Sequence, residues 1–394
     1  MRLVHVNYDA VRNGGATIAM LRTIEAQRLA GIDVSIVCRK AAVEEGCHLF
    51  TPSLFVRAKE LGLKCVLRGL TGGVHSTGLL GVGVAEFINA MNPDIVQLNW
   101  LQANTLGVSE LKRIKCPIVW FTHDLWPMRG LSAYADPNVK HGLGYAFLDK
   151  WVEQKKIEAV QACKGHIYVV GPSEWARSEA IASRVFADVP SFVIHYPVSK
   201  ALLEASDKFN CKPKKANSRF TILFGATTGI SSRTKGWDRL MSAVDLLPET
   251  DRNQITIRVF GCNLPSQKMH GVDVEFIGKK NISELVQEYR NADLFALPSR
   301  SETWGQTKTE ALCCGTPVIA FDQTACANGI IHKKTGWIAG PDDIESFARG
   351  IQWFVSQWRV GARCEISDEA ARFSPVAIGR EWVALYEKIL RKEV

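Results

Sequence analysis

Short runs of Val, Ile, Leu and Phe alternate along the whole chain with longer stretches whose apolar residues recur at three- and four-residue intervals. In the first half the runs are "RLVHVNYD", "DVSIVCR", "PDIVQLNW", "PIVWFTHD", "HIYVVGPS" and "SFVIHYP"; in the second they are "FTILFGA", "ITIRVFG", "VDVEFIG", "LFALPS" and "PVIAFD". Nearly continuous apolar runs of this length predict parallel strands covered on both faces by crossover helices. The expected fold class is α/β, with two doubly wound, Rossmann-like domains facing across a cleft.

Between the two series, "SDKFNCKPKKANSRF" (206–220) loses apolar periodicity and gathers Lys, Asn, Ser and Pro, which marks a domain boundary. The expected division is 1–205, 206–372 and a terminal segment, 373–394. In that last segment Trp382, Val383, Leu385, Tyr386, Ile389 and Leu390 fall at helical spacing, so it reads as an amphipathic helix packing back on the first domain. The 394 residues exceed what one hydrophobic core usually serves, which agrees with two domains.

Composition narrows the class further. With 46% apolar and 22% charged residues the chain reads as an ordinary globular protein. Its net charge of +8 is shared between the halves, so no nucleic-acid-binding block is expected. One basic segment stands out, where Arg57, Lys59, Lys64 and Arg68 interleave with Val56, Leu61, Leu63, Val66 and Leu67. It is either a solvated helix with one buried face or a contact for an anionic membrane surface.

Eleven cysteines, an odd number without a C-x-x-C pair, argue for buried thiols in a reducing compartment and against a disulfide framework or zinc site. The N-terminus reads as a strand rather than a signal peptide, and no run of apolar residues is long enough to span a membrane. A cytoplasmic protein is expected, at most touching the inner face of the membrane.

Ligands of doubly wound sheets gather beyond the carboxyl ends of the strands, so residues just after the apolar runs are the candidates. After "LFALPS" comes "SETWGQTKTE", a glycine-centred turn leading into a helix expected to start near Gln306. The main-chain N–H groups from Trp304 through Gly305 and Gln306 to Thr307 are then placed to receive an anion such as phosphate. Glu302 and Glu310 flank that site, and each carboxylate can accept paired hydroxyls of a sugar or ribose. A nucleotide sugar meets both demands; the alternative is that Glu302 caps the helix and Glu310 is solvated.

After "FTILFGA", the loop "TTGISSRTKG" carries Arg233 and Lys235, cations placed to neutralise a diphosphate. After "RLVHVNYD", Gly14 and Gly15 allow close backbone approach to a phosphate or sugar, although a simple tight turn explains them equally well. There is no G-x-G-x-x-G, so nicotinamide binding is not expected. His123 and Asp124 end the "PIVWFTHD" run, where they can hold a sugar hydroxyl or an acceptor proton, although a lone histidine at a strand end is more often structural. Asn99 and Trp100 end the neighbouring run and are candidates for an acceptor pocket.

Taken together, "LPSRSETWGQTKTEALCCGTPVIAFD" resembles the E-x7-E signature of retaining GT-B glycosyltransferases, in particular glycosyltransferase family four. The matching positions are Pro298, Ser299, Glu302, Trp304 in place of Phe, Gly305, Glu310, Ala311, Gly315 and Pro317. Lys235-Gly236 matches the family's phosphate-binding pair, and "THDLWPMRG" looks like a segment of the exopolysaccharide and colanic-acid-type subgroup. The resemblance implies that Glu302 contacts the transferred sugar, Glu310 the ribose, and Arg233 and Lys235 the diphosphate.

It further implies a UDP- or GDP-linked donor, a glycan or lipid-linked saccharide acceptor, retention of configuration and a place in bacterial exopolysaccharide, capsule or lipopolysaccharide synthesis. No cofactor is implied, and without an Asp-x-Asp nothing in the sequence requires a metal. The sequence departs from the pattern in "DQTACANGIIHKKTG", where the usual Gly-Gly and Glu are replaced. A glycoside hydrolase would also want two carboxylates, but has no use for the cations and the anion site. A non-catalytic partner subunit with the same fold is the other alternative.

Overall fold

The computed structural model describes residues 1–11, 14–40, 45–71, 76–101, 104–133, 143–207, 219–225, 229–359 and 372–394. Most of the 206–220 linker lies outside the described residues, as do the side chains of Lys64 and Arg68. The described chain forms two compact units, Met1–Pro197 with Pro375–Val394, and Val198–Ser374.

In the first unit the strands are β1 (Arg2–Asp9), β2 (Asp33–Lys40), β3 (Cys47–Leu49), β4 (Ile95–Leu98), β5 (Ile118–Phe121), β6 (Ile167–Gly171) and β7 (Ser191–Val193). They lie side by side in the order β3-β2-β1-β4-β5-β6-β7, all parallel. Strands β4, β5 and β6 are buried at every residue, which explains why their sequences are unbroken apolar runs. Val4, Val96, Leu98, Ile118, Trp120 and Val169 share one core cluster with Leu106, Trp126 and Phe186.

Helix α1 (Gly15–Leu29) follows β1, and the terminal helix Pro375–Arg391 belongs to this same unit. The terminal helix buries Ile378, Trp382, Leu385, Tyr386 and Ile389, spaced three or four apart, while Leu390 is exposed. Its Tyr386 hydroxyl accepts a hydrogen bond from Gln27 Nε2 of α1 at 2.8 Å, which fixes the two helices in register.

In the second unit the strands are β8 (Phe220–Gly225), β9 (Ile255–Phe260), β10 (Gln267–Met269), β11 (Val272–Gly278), β12 (Leu294–Leu297), β13 (Val318–Phe321) and β14 (Gly336–Ala339). Their order is β10-β11-β9-β8-β12-β13-β14, parallel except for the β10–β11 hairpin. Strands β3, β10 and β14 were not anticipated from the sequence. All three are edge strands of three or four residues, and β3 and β10 are mainly exposed, so neither sheet face imposes an apolar pattern on them.

Both sheets therefore reverse strand order at one place, between β1 and β4 in the first and between β8 and β12 in the second. The loops after those strands diverge, which opens a crevice at each switch point. The doubly wound α/β expectation is what the structure shows for both units. Among the described residues no helix is long and apolar enough to cross a membrane.

Candidate functional site

The second unit's switch point is built by two loops locked together. One follows β8 and contains the 3-10 turn Arg233–Lys235 and helix α7 (Trp237–Asp245); the other follows β12 and leads into helix α10 (Gln306–Cys313). Gly236, with φ of 73°, lies so close to the second loop that an added Cβ would stand 2.0 Å from the Pro298 carbonyl oxygen. Only glycine allows that approach. Arg300 N donates to Thr234 O at 2.8 Å, and the Arg300 side chain donates to Arg233 O at 2.7 Å and reaches Asp238.

The lock places Lys235 against Glu302. Lys235 Nζ donates to Glu302 Oε1 at 2.8 Å, and Ser299 Oγ donates to the same oxygen at 2.9 Å. Both bonds fall on Oε1, so Oε2 takes no hydrogen bond among the described residues and is available to a ligand hydroxyl. The Glu302 carboxylate raises the pKa of Lys235, which keeps the lysine charged. Glu302 does not cap α10: the N-cap is Gly305, with φ of 82° and no side-chain bond. The helix-capping alternative for Glu302 is thereby removed.

Helix α10 starts at Gln306, so the first-turn N–H groups and the positive end of its dipole lie directly after Gly305. Gln306 and Thr307 are half-buried in that turn, and Trp304 is buried with its ring edge-on to Phe373 at 5.4 Å. Glu310 is only 4% exposed and accepts a hydrogen bond from the Tyr289 hydroxyl at 2.8 Å. It is therefore not a solvated helix residue. Arg233 is exposed at the lip of the site.

One residue here escaped sequence reasoning. Lys308, in the first turn of α10, is 1% exposed and donates from Nζ to Ala325 O at 2.9 Å, with its ammonium 4.6 Å from the Trp304 ring centre. Burial lowers its pKa from the usual lysine value to about 8.

The first unit's switch point is assembled mainly from neutral groups, with the Asp124 carboxylate beside them. His123, after β5, is 8% exposed; its Nδ1 pairs with the Tyr196 hydroxyl at 2.8 Å and its Nε2 with Asn99 Oδ1 at 3.2 Å. Asn99 Nδ2 reaches His5 Nδ1 at 3.2 Å, and His5 Nε2 pairs with Gln27 Oε1 at 2.8 Å. The Gln27 amide then donates to Gln97 Oε1 at 3.0 Å and to Tyr386. Along this chain the Asn99 and Gln27 amide oxygens accept, so both histidines carry their proton on Nε2, and the Tyr196 hydroxyl donates to His123 Nδ1. Burial lowers the pKa of each to about 3, with each histidine's surroundings leaving the neutral ring favoured.

Asn99, read from sequence as an acceptor-pocket residue, is 2% exposed with its amide committed to this network, so it holds His123 from behind. Asp124 is 5% exposed; one oxygen accepts from Trp100 Nε1 and the other from Trp126 N, both at 3.0 Å. Trp100 is only half-buried and sits edge-on to Tyr8 at 5.8 Å. Gly14, with φ of 104°, and Gly15 stand at the start of α1. The structure thus groups Gly14, Gly15, Asn99, Trp100, His123 and Asp124 in the first unit, and Arg233, Lys235, Glu302, Trp304, Gly305, Gln306, Thr307 and Glu310 in the second.

Among the described residues no group of three His, Cys, Asp or Glu could hold a metal ion.

The chain has counterparts among known proteins. Residues 213–372 match the family model of glycosyl transferases group 1. The chain is similar to D-inositol 3-phosphate glycosyltransferase of Jonesia denitrificans, 29% identical over 170 residues, covering 39% of this chain and 40% of that protein. It is also similar to the enzyme of the same name from Mycobacterium sp. (strain KMS), 34% identical over 117 residues, covering 30% of this chain and 27% of that one. The chain spans less than half the length of these curated relatives.

Solved structures match throughout the chain. Sucrose-phosphate synthase from Thermosynechococcus elongatus superposes with a TM-score of 0.68 at 18% identity, covering 99% of both chains. Anabaena HepE, in complex with UDP and glucose, gives 0.65 at 17% identity, covering 98% of this chain and 99% of that one. At these identities the likeness speaks for the fold.

Proposed function

We propose that this chain is a nucleotide-sugar-dependent glycosyltransferase. The observation that carries the reading is Lys235 on Glu302 beside the start of α10: one cation and one helix N-terminus for a diphosphate, and one carboxylate oxygen left for a sugar hydroxyl. The family match over residues 213–372 supports it. In this reading Lys235, Arg233 and the main chain of Gly305, Gln306 and Thr307 stabilise the charge that develops on the departing diphosphate. Glu302 holds the transferred sugar. Glu310, after parting from Tyr289, binds the ribose, and Trp304 buttresses the turn.

The acceptor is assigned to the first unit, where His123 and Asp124 position a hydroxyl group and Trp100, Gly14 and Gly15 line its approach. Transfer with retention follows if the departing phosphate oxygen itself takes the acceptor proton on the same face of the sugar. A UDP- or GDP-linked donor and a glycan or lipid-linked saccharide acceptor, as in bacterial exopolysaccharide, capsule or lipopolysaccharide assembly, are the substrates inferred.

Helix α2 (Leu54–Thr71) supports a lipid-linked acceptor: it exposes Leu54, Phe55 and Leu61 beside Arg57 and Lys59, and its Glu60 turns inward to Arg39. Such a face suits peripheral contact with an anionic membrane.

A thermal-shift panel of UDP-glucose, GDP-mannose and ADP-glucose tests the reading, because a ligand that binds the native state alone raises its melting temperature. One donor is expected to shift the wild type and not Lys235→Ala. No shift with any of them, at concentrations up to the millimolar range, overturns the proposal. The anomeric configuration of the product, read by NMR, tests retention separately.

A further inference from the structure

Beside the loop that carries Glu302 runs a second segment, Gln323 to Cys326, after β13, half-buried at its first two residues and buried at Ala325 and Cys326. The two are joined by a ladder of hydrogen bonds. Glu302 N donates to Thr324 Oγ1 at 3.1 Å, and Ala325 N donates back to Glu302 O at 3.1 Å. On one side Gln323 Nε2 donates to Arg300 O at 2.6 Å; on the other, Cys326 Sγ reaches Ser299 O at 3.5 Å. The main chain of Glu302 is thus gripped at both its N–H and its carbonyl by neighbouring residues of one segment.

Two features at that segment, one within it and one packed against it, are costly. Thr324 has φ of 52°, and a β-branched side chain in the left-handed region is a genuine outlier. Lys308 is a buried ammonium whose hydrogen bond goes to Ala325 O, the carbonyl of the residue that holds Glu302. Strain and a buried charge persist in a native structure when the surroundings over-determine them, and they cluster where a functional group must be held in place. Here both converge on one backbone unit.

We propose that Thr324 and Lys308 are positioning residues: they latch the Gln323–Cys326 segment to the main chain of Glu302 and so fix where its carboxylate meets the donor sugar. The Thr324 hydroxyl holds the Glu302 amide, and the Lys308 ammonium holds the next peptide in place from below. Lys235 sets the charge of the site; the latch sets its geometry. The role of Glu302 itself rests on the reading given under Proposed function.

Amide hydrogen exchange of the ligand-free protein reads the latch without any assay of activity. Thr324→Val keeps the shape and removes the hydroxyl, and exchange at the Glu302 amide is expected to rise about tenfold, the effect of one lost hydrogen bond. Thr324→Ser is expected to restore slow exchange. With whichever of the three donors shifts the melting temperature, Thr324→Val is expected to lower kcat about tenfold while the affinity for the nucleoside diphosphate alone stays within about twofold. Lys308→Met is expected to do the same and Lys308→Arg to recover most of the loss.

Unchanged exchange in Thr324→Val overturns the latch, and so does wild-type kcat in that variant. If Lys308→Met fails to fold, the Thr324 pair still decides the question. Should Glu302→Gln leave turnover intact, the assignment of Glu302 fails, while the exchange result continues to report on the latch by itself.

Discussion

The two units share a strand order and differ in electrical character at the point where that order reverses. In the first, seven polar side chains, among them His5, Tyr196 and Tyr386, form a neutral network with both histidines uncharged. In the second, Lys235 and Glu302 form an ion pair at 2.8 Å beside a helix start, with Lys308 buried next to them. The same topology supplies the location in both cases, while the residues placed there decide what kind of ligand is favoured. Neutral hydroxyls suit the first and an anion flanked by polyols the second.

The largest test of that contrast is Lys235→Ala. Removing the cation is expected to lower kcat by about 10²–10³-fold, in the range for loss of one transition-state charge stabiliser. Steady-state kinetics with the donor that binds will show it, and a loss smaller than fivefold would break the electrical distinction between the units.

Next comes Gly236→Ala. A Cβ there meets the Pro298 carbonyl at 2.0 Å and the residue holds a positive φ, so the second unit is expected to lose about 3 kcal/mol. Urea denaturation followed by hydrogen exchange is expected to confine the loss to strands β8 and β12.

Acid separates the units by a smaller amount for each pH unit. His5 and His123 have folded pKa values of about 3 against an ordinary value of 6.5, so between those limits the unfolded chain binds more protons. Stability therefore rises with pH across this window and is lost as pH falls below 6.5, by about 1.4 kcal/mol per pH unit for each histidine. Exchange protection of β1 and β5 is expected to fall between pH 7 and pH 5 more steeply than that of β8 and β13. Equal slopes would remove the neutral network from the account.

The smallest effect is expected from Tyr289→Phe, which takes away the hydrogen bond to Glu310. A loss of about 1 kcal/mol in the second unit's stability is expected from urea titration.

Much of this was legible in the sequence because parallel strands covered on both faces must be apolar throughout. The eleven apolar runs correspond to eleven strands, and Gly305 announced the start of α10. Lys308 was not legible, since a lysine in "QTKTEA" looks solvated and nothing local signals that Ala325 O lies above it. The polar network left a trace that was passed over. His5 pairs in register with Gln97, and Asn7 and Asn99 each follow two residues later, so polar groups share one face of two adjacent buried strands. Such a face needs internal partners, and the last of them, Tyr386, lies far along the chain where no local pattern could link it.

The terminal helix has a consequence for biosynthesis. Because residues 375–394 complete the unit begun at residue 1, the ribosome delivers the whole second unit before the first has all its parts. Gln27 waits for Tyr386 across a separation of 359 residues. The first unit to emerge is finished only after the second, and a chain released before residue 375 would leave it open along α1.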